Sequence, residues 1–172
     1  MAEIHIQEAQ LGEAALLSDL GRRTFTEAFA DSNDPDCLAR FLDQTYTPER
    51  QAGELKDPAI TTFIARVDGS PAGFAQLRRG PGEACVSGPD PIELQRIYAL
   101  REFLGSGVGK SLLSACMDRA KADGFRTLWL GVWERNPRAQ AFYLRHGFRL
   151  AGSHTFDVGG DLQVDLIYKL LL

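Results

Sequence analysis

The sequence predicts a mixed α/β fold in which a central sheet of about seven strands is flanked by four helices. Three observations predict it: segments of alternating apolar residues, segments with apolar residues at helical spacing, and their order β-α-α-β-β-β-α-β-α-β-β along 172 residues. No linker, internal repeat or low-complexity segment interrupts this order. Residues 1–172 are therefore expected to form a single domain.

The N-terminal part predicts one strand and two helical regions. Ile4–Ile6 alternates as a short strand, and the stretch from Leu11 to Ala30 has helical spacing. The apolar residues that carry this spacing are Leu16, Leu17, Leu20, Phe25 and Phe29. Asp34 is suited to cap a second helical region that runs from Pro35 to about Leu55 and is broken near Thr47-Pro48.

The middle of the chain predicts a hairpin and a further strand. Residues 61–67 and 72–77 are expected to pair around a tight turn at Asp68-Gly69. Residues 80–91 are rich in Gly and Pro and are expected to form a loop, which leads into a strand over residues 92–100.

The C-terminal part predicts two helices and three strands. A helix is expected from about Val108 to Asp123, followed by a strand over Thr127–Val132. A shorter helix begins at Pro137 and ends at Gly147. The last two strands are expected at Phe148–Phe156 and Val164–Leu171, around the Gly159-Gly160 turn.

The composition excludes several classes of protein. A net charge of −4 and a pI near 5.4 argue against a nucleic-acid partner. No signal peptide is readable at the N-terminus, and no apolar run approaches the roughly 18–20 residues that span a bilayer. The three cysteines are odd in number and far apart, as is typical of reduced thiols in the cytoplasm. No His, Cys and Asp grouping has the spacing of a metal site, so no metal is implied.

The run Gly105, Ser106, Gly107, Val108, Gly109, Lys110 and Ser111 is expected to bind an anion. Alternate glycines let backbone N–H groups converge, and the run opens a helix whose N-terminus favours negative charge. An ATP-binding P-loop would need glycine at position 104, where Leu104 stands, and the G-x-G-x-G spacing does not match a dinucleotide fingerprint. The remaining alternative is a glycine turn needed only for close packing of a strand and a helix.

Two blocks of the sequence resemble the GCN5-related N-acetyltransferases (the GNAT superfamily). R-E-F-L-G-S-G-V-G-K-S-L-L at 101–113 is similar to the family's acetyl-CoA loop, and N-P-R-A-Q-A-F-Y-L-R-H-G-F at 136–148 is similar to its second motif. Shorter blocks at 92–98, 128–137 and 160–167 resemble bacterial spermidine/spermine acetyltransferases of the Bacillus pai operon. Leu104 departs from the family, which often has Gln or Arg at that position.

The resemblance implies a mixed, mostly antiparallel sheet and an acetyl-CoA site. Residues 105–111 would take the pyrophosphate of coenzyme A, and the backbone of Ile97, Tyr98 and Ala99 would pair with the pantetheine arm like an added strand. A backbone N–H near Ile97 or Tyr98 would face the developing oxyanion. Asn136 would bond to the pantetheine arm.

The resemblance also implies two catalytic candidates. Tyr143 would protonate the departing thiolate of CoA, because a phenol with a pKa near 10 keeps its proton at pH 7. Glu93 lies fourteen residues before Gly107, a spacing like that of the family's general-base glutamate. The alternatives are a hydrogen-bonded core tyrosine and a strand carboxylate paired with an arginine. His154 is a candidate second base, for which a structural role is the simpler interpretation.

The acceptor is expected to be a small amine, with a polyamine as the leading hypothesis. Residues 31–57 hold seven acidic and three basic residues, and an acidic rim there would attract a polycation. A solvated helix face is the alternative. A protein N-terminus or lysine as acceptor, and a non-catalytic acyl-CoA-binding domain, are the competing functions. Exposed edge strands also make a homodimer an expectation.

Overall fold

The computed structural model describes residues 2–172 and contains seven strands and five α-helices. The strands are β1 (Ile4–Glu8), β2 (Ile60–Val67), β3 (Ser70–Arg79), β4 (Pro91–Ala99), β5 (Thr127–Trp133), β6 (Arg149–Val158) and β7 (Asp161–Leu171). The helices are α1 (Ala14–Phe29), α2 (Pro35–Thr45), α3 (Pro48–Lys56), α4 (Val108–Ala122) and α5 (Pro137–Arg145). Short 3₁₀ turns lie at Leu11–Glu13, Ala30–Ser32 and Arg101–Phe103.

The seven strands form one sheet in the order β1-β2-β3-β4-β5-β7-β6. Every neighbouring pair is antiparallel except β4 and β5, which run parallel. A parallel pair needs a crossover connection, and here α4 provides it. The predicted class, a mixed and mostly antiparallel sheet with helices on its faces, is confirmed.

The count of four helices was wrong by one, because the region 35–55 forms two helices. Asp34 accepts hydrogen bonds from the backbone of Asp36 and Cys37 and so caps α2 as predicted. The helix ends at Tyr46, and Thr47 then caps α3 by accepting a hydrogen bond from the backbone N–H of Arg50. Since Thr47 is extended and proline follows it, one continuous helix is excluded.

The core lies in two layers, one on each face of the sheet. On one face, α4 and Tyr143 of α5 pack against the apolar side of β2 to β5. On the other, α1 and α2 pack with Tyr46 against Ile64 and Phe74. Hence strands β3 and β4 are covered by α4 on one face and by α1 on the other.

In the described range 2–172, none of the helices combines the length and apolar character that crossing a bilayer would require. Cys37, Cys85 and Cys116 are free thiols.

Candidate active site

The site is built where the two parallel strands separate. β4 and β5 pair at only three positions, of which Glu93 opposite Trp129 is the last. Beyond it, a register shift in the pairing of β3 and β4 leaves Gln95 without a partner position, as in a β-bulge. Gln95 Oε1 is buried and has no hydrogen-bond partner among residues 2–172. The separated strands therefore leave polar groups of β4 facing a cleft.

A cavity of about 710 Å³ lies on one side of this cleft. Its wall contains Ile97, Tyr98 and Ala99 of β4 and most of the glycine run. Gly107 precedes α4 with a φ of 98° and makes no side-chain cap, and the first hydrogen bond of this turn runs from Ser111 to Gly107. The N–H groups at 108–110 thus lack intrahelical acceptors. The predicted anion loop has the geometry that anion binding requires.

Not all residues of the predicted loop face this cavity. Gly105, Gly107, Gly109 and Lys110 line it, whereas Ser106, Val108 and Ser111 do not. Val108 is buried in the core, and the Ser106 hydroxyl donates to the carbonyl of Phe103. Leu104 lines the cavity and is exposed, so it contributes an apolar surface there.

The sequence reasoning missed three arginines of this cavity, namely Arg101, Arg138 and Arg145. Arg138 and Arg145 of α5 line it together with Lys110. They are seven residues apart, which places them on one face of a helix, with Phe142 between them. That spacing was a readable signal. The wall of the cavity holds four basic side chains, Arg101 included, against the single carboxylate of Glu27, so its charge is predominantly positive.

A second cavity of about 180 Å³ lies on the other side of the cleft. Its wall combines aromatic with polar side chains, and the aromatic ones include Phe25, Phe29, Tyr98, Trp133 and Phe156. The two cavities share six lining residues, namely Ala28, Ile97, Tyr98, Asn136, Ala139 and Tyr143. The cavities therefore adjoin, and the shared residues form the boundary between them.

Asn136 and Tyr143 lie on this boundary through α5. The Asn136 side chain caps α5 by accepting a hydrogen bond from the N–H of Ala139 at 3.2 Å, so its amide nitrogen is left to face the cleft. Tyr143 is 7% exposed, and its ring packs edge-on against Phe142 and Phe148. Burial raises the pKa of Tyr143 well above the usual value.

Glu93 lies at the vertex of the cleft but lines neither cavity. It is opposite Arg78 on β3 and Trp129 on β5. Burial raises the pKa of Glu93, while Arg78 and His154 act in the opposite direction. The raised pKa of Glu93 suits a general base. Because Glu93 lines neither cavity, a water molecule would have to carry a proton between the acceptor and its carboxylate.

The sequence reasoning missed Asp165 of β7, which is the carboxylate in the wall of the smaller cavity. Its side chain is 14% exposed, and Oδ2 lies 3.7 Å from Nε2 of His154. Nδ1 of the same histidine lies 2.9 Å from Glu83 Oε1. Burial raises the pKa of Asp165, and His154 partly offsets this rise. The predicted Gly159-Gly160 turn was a readable signal for His154 and Asp165, because a two-residue hairpin turn places these positions opposite each other. No signal in the sequence joins Glu83 to them, because it comes from a separate loop.

Comparisons with known proteins agree with this architecture. The model of the acetyltransferase (GNAT) family matches residues 22–148. An uncharacterized N-acetyltransferase in the pepI 3' region of Lactobacillus delbrueckii subsp. lactis is 31% identical over 169 residues, which are 98% of this chain and 96% of that protein.

Two solved structures share the fold at low identity. PaiA N-acetyltransferase from Thermoplasma acidophilum, in complex with coenzyme A, superposes with a TM-score of 0.77 at 20% identity, covering 99% of both chains. The ribosomal-protein-S18-alanine N-acetyltransferase from Escherichia coli superposes with a TM-score of 0.71 at 19% identity, covering 98% of this chain and 94% of the other. With the family model covering most of the sequence, the chain belongs to the acetyltransferase (GNAT) family.

Proposed function

We propose that this acetyl-CoA-dependent N-acetyltransferase transfers the acetyl group to a small primary amine by direct attack. One observation carries the proposal: a cavity with a predominantly positive wall and a cavity with aromatic side chains and one carboxylate meet at Ile97, Asn136 and Tyr143. A donor in the first cavity and an acceptor in the second would face each other across this boundary.

The larger cavity fits the chemistry of coenzyme A. The free N–H groups at the start of α4, with Lys110 and Arg138 nearby, would hold the pyrophosphate. The unpaired edge of β4 would take the pantetheine arm, with the Asn136 amide contributing a hydrogen bond. When bound, acetyl-CoA supplies the activated acetyl thioester.

The residues on the boundary would carry the proton transfers. An alkyl ammonium has a pKa near 10.4, so making it neutral at pH 7 costs about 4–5 kcal/mol. A backbone N–H of Ile97 or Tyr98 would stabilise the negative charge that develops on the carbonyl oxygen. Tyr143 would donate a proton to the leaving sulfur, and Glu93 stays a candidate base that acts through water.

The charges around the acceptor cavity favour a monoamine with an apolar body. Aromatic rings attract an ammonium group by cation–π interaction, Asp165 adds a single negative charge, and the positive charge of Arg96 in the same wall is paired with Glu54. Of the seven acids at residues 31–57, Asp34, Asp43, Glu54 and Asp57 already contact other groups of the chain. These contacts weaken the argument for an acidic rim, so a polyamine remains one acceptor among those to test.

The deciding experiment is a CoA-release assay with acetyl-CoA and a panel of acceptors. The panel contains aromatic and aliphatic monoamines, putrescine, spermidine, lysine and short peptides with a free N-terminus, and mass spectrometry identifies the product. We expect monoamines with an apolar body to raise CoA release at least tenfold above the amine-free rate.

Other results of the acceptor panel would support other functions. A preference for peptides would support a protein acetyltransferase, and a preference for spermidine would support the polyamine hypothesis. If CoA binds but no acceptor raises its release, the chain is a non-catalytic acyl-CoA-binding domain and the proposal fails. A homodimer and a cytoplasmic location also stay predictions.

Replacing Lys110 by alanine is expected to weaken CoA binding about fivefold, because one cation beside the phosphates is lost; this corresponds to about 1 kcal/mol. The loss should shrink at high salt, since exposed charges are screened. Calorimetric titration with CoA measures it. The matched control is Lys121→Ala, which removes an exposed lysine from the opposite end of the same helix. Equal effects of both substitutions would contradict a phosphate site at the N-terminus of α4.

A further inference from the structure

We infer that Asp165 takes the proton from the acceptor ammonium, and that His154 and Glu83 carry this proton from the cavity to the surface. The inference rests on the proposed function, because it concerns the amine that this function requires. Asp165 would be a catalytic residue, since it lines the acceptor cavity. His154 and Glu83 would act through it.

The three side chains form a line from the interior to solvent. Asp165 is 14% exposed, His154 27% and Glu83 38%. Glu83 accepts from Nδ1 of His154 at 2.9 Å, so the neutral imidazole has its lone pair on Nε2. That nitrogen faces Asp165 Oδ2 at 3.7 Å, which is just beyond a hydrogen bond and needs only a small approach to form one.

Gly131 of β5 provides the space for this pair. A Cβ at this position would lie 3.2 Å from Asp165 Oδ2 and 3.3 Å from His154 Nε2, tighter than an ordinary contact. Gly131 also lines the acceptor cavity. The missing side chain therefore opens the wall of the cavity beside the carboxylate and the imidazole.

The electrostatic surroundings support a proton acceptor at Asp165. Burial disfavours the charged carboxylate and raises the pKa of Asp165, which makes it a stronger base than an exposed aspartate. The charged groups around His154 are Glu83 from the loop, Asp165 from β7 and Glu93 from β4, with Arg78 of β3 beside Glu93. Three carboxylates therefore surround one imidazole. Among residues 2–172, no cluster of His, Cys, Asp and Glu side chains has the arrangement of a metal site.

Asp165 is better placed for this role than Glu93. Both carboxyls have a raised pKa, yet only Asp165 lines the acceptor cavity. Glu93 is opposite Arg78 on the neighbouring strand, and the positive charge of Arg78 opposes the rise in its pKa. We therefore assign proton acceptance to Asp165, and Glu93 contributes a negative charge near His154.

The reaction balances with these groups. The ammonium R–NH₃⁺ gives one proton to Asp165, and the neutral nitrogen forms a bond to the thioester carbon as the C–S bond breaks. The leaving sulfur takes the proton of Tyr143, and the surplus proton on the product nitrogen restores the phenol. Asp165 passes its proton to His154 Nε2 while Nδ1 gives one to Glu83 and solvent. The products are R–NH–CO–CH₃, CoA–SH and H⁺.

The test measures kcat/KM from pH 6 to pH 10 with the best amine of the panel, for the wild type and Asp165→Asn. We expect the asparagine variant to be about 100-fold slower at pH 7. This deficit should shrink as the pH approaches the pKa of the amine, because the amine then loses its proton without a base. His154→Gln should give a smaller deficit, about tenfold, with the same pH dependence.

A second readout does not depend on turnover. Calorimetry without CoA should show weaker amine binding by Asp165→Asn, because the ammonium loses its carboxylate partner. The matched control is Asp118→Asn, which makes the same change at an exposed carboxylate of α4. It should leave the amine affinity and the pH profile unchanged.

The outcomes separate the two proposals. A wild type that acetylates no amine overturns the proposed function, and the role of Asp165 with it. A working wild type with an unchanged Asp165→Asn variant overturns only the inference. If the loss in kcat/KM that diminishes at high pH is found in Glu93→Gln and not in Asp165→Asn, Glu93 is the base.

Discussion

Replacing Tyr143 by phenylalanine is expected to lower kcat about 10²–10⁴-fold while the Kd of acetyl-CoA changes little. The substitution removes only the hydroxyl of a residue that lines both cavities. Because burial raises the pKa of Tyr143, the phenol stays protonated over the working range and can act as an acid. Steady-state kinetics and calorimetry of CoA binding separate these two effects.

Tyr168→Phe is the matched control for this experiment. Tyr168 is buried in the same core cluster but lines neither cavity, so its variant should retain wild-type turnover. The melting temperatures of both variants should stay within a few degrees of the wild type, since only a hydroxyl is removed. Undiminished turnover by Tyr143→Phe would show that the leaving thiolate takes its proton from another source.

Much of the site could be predicted because its parts are local in sequence. The glycine run and the start of α4 are adjacent, and Asp34 and Pro137 mark where helices begin. Asn136 and Tyr143 were named from the resemblance of residues 136–148 to a single family motif, which is contiguous in the sequence. Each of these predictions needs only one contiguous segment of the chain.

Only part of the acceptor side could be predicted in the same way. The Gly159-Gly160 turn sets the register of β6 and β7, in which His154 is opposite Asp165, so this pair was readable from the hairpin. Glu83 joins them from a loop 71 residues away from His154. Periodicity shows which face of a strand is apolar, but it does not specify which loop covers the polar face. The separation of β4 and β5 is likewise a property of the assembled sheet.

Replacing Glu54 by alanine is expected to destabilise the fold by about 3–5 kcal/mol, because it leaves a buried guanidinium without its partner. Glu54 and Arg96 are 10% and 9% exposed, and Arg96 Nη1 lies 2.7 Å from Glu54 Oε2. Gln76 donates to the same oxygen at 3.0 Å, and Arg96 lies over the Tyr46 ring at 5.2 Å. Urea denaturation measures the free energy of unfolding.

Arg50→Ala is the control for the buried pair. Arg50 contacts the same carboxylate at 3.3 Å but is 62% exposed, so its removal should cost at most about 1 kcal/mol. Similar losses from Arg50→Ala and Glu54→Ala would show that the pair at Arg96 contributes no more than a surface ion pair.

The pH dependence of stability gives an independent measurement of this pair. Burial alone would raise the pKa of Glu54, but the hydrogen bonds and charge of Arg96, with Gln76, outweigh it and hold the pKa below its ordinary 4.5. A carboxyl whose pKa is lower in the folded state stabilises the fold above about pH 4.5, and this contribution is lost as the pH falls through the folded pKa. Glu54→Gln should therefore lose less stability than the wild type on acidification.

The same pair links the stability of the fold to the acceptor cavity. Arg96 lines that cavity, and Glu54 neutralises its charge. In Glu54→Gln the guanidinium charge is no longer compensated, so it would repel an ammonium that approaches Asp165. We expect the KM for the amine to rise about tenfold while the Kd of CoA stays unchanged. A variant that is destabilised but retains its amine KM would show that the charge of Arg96 does not reach the acceptor.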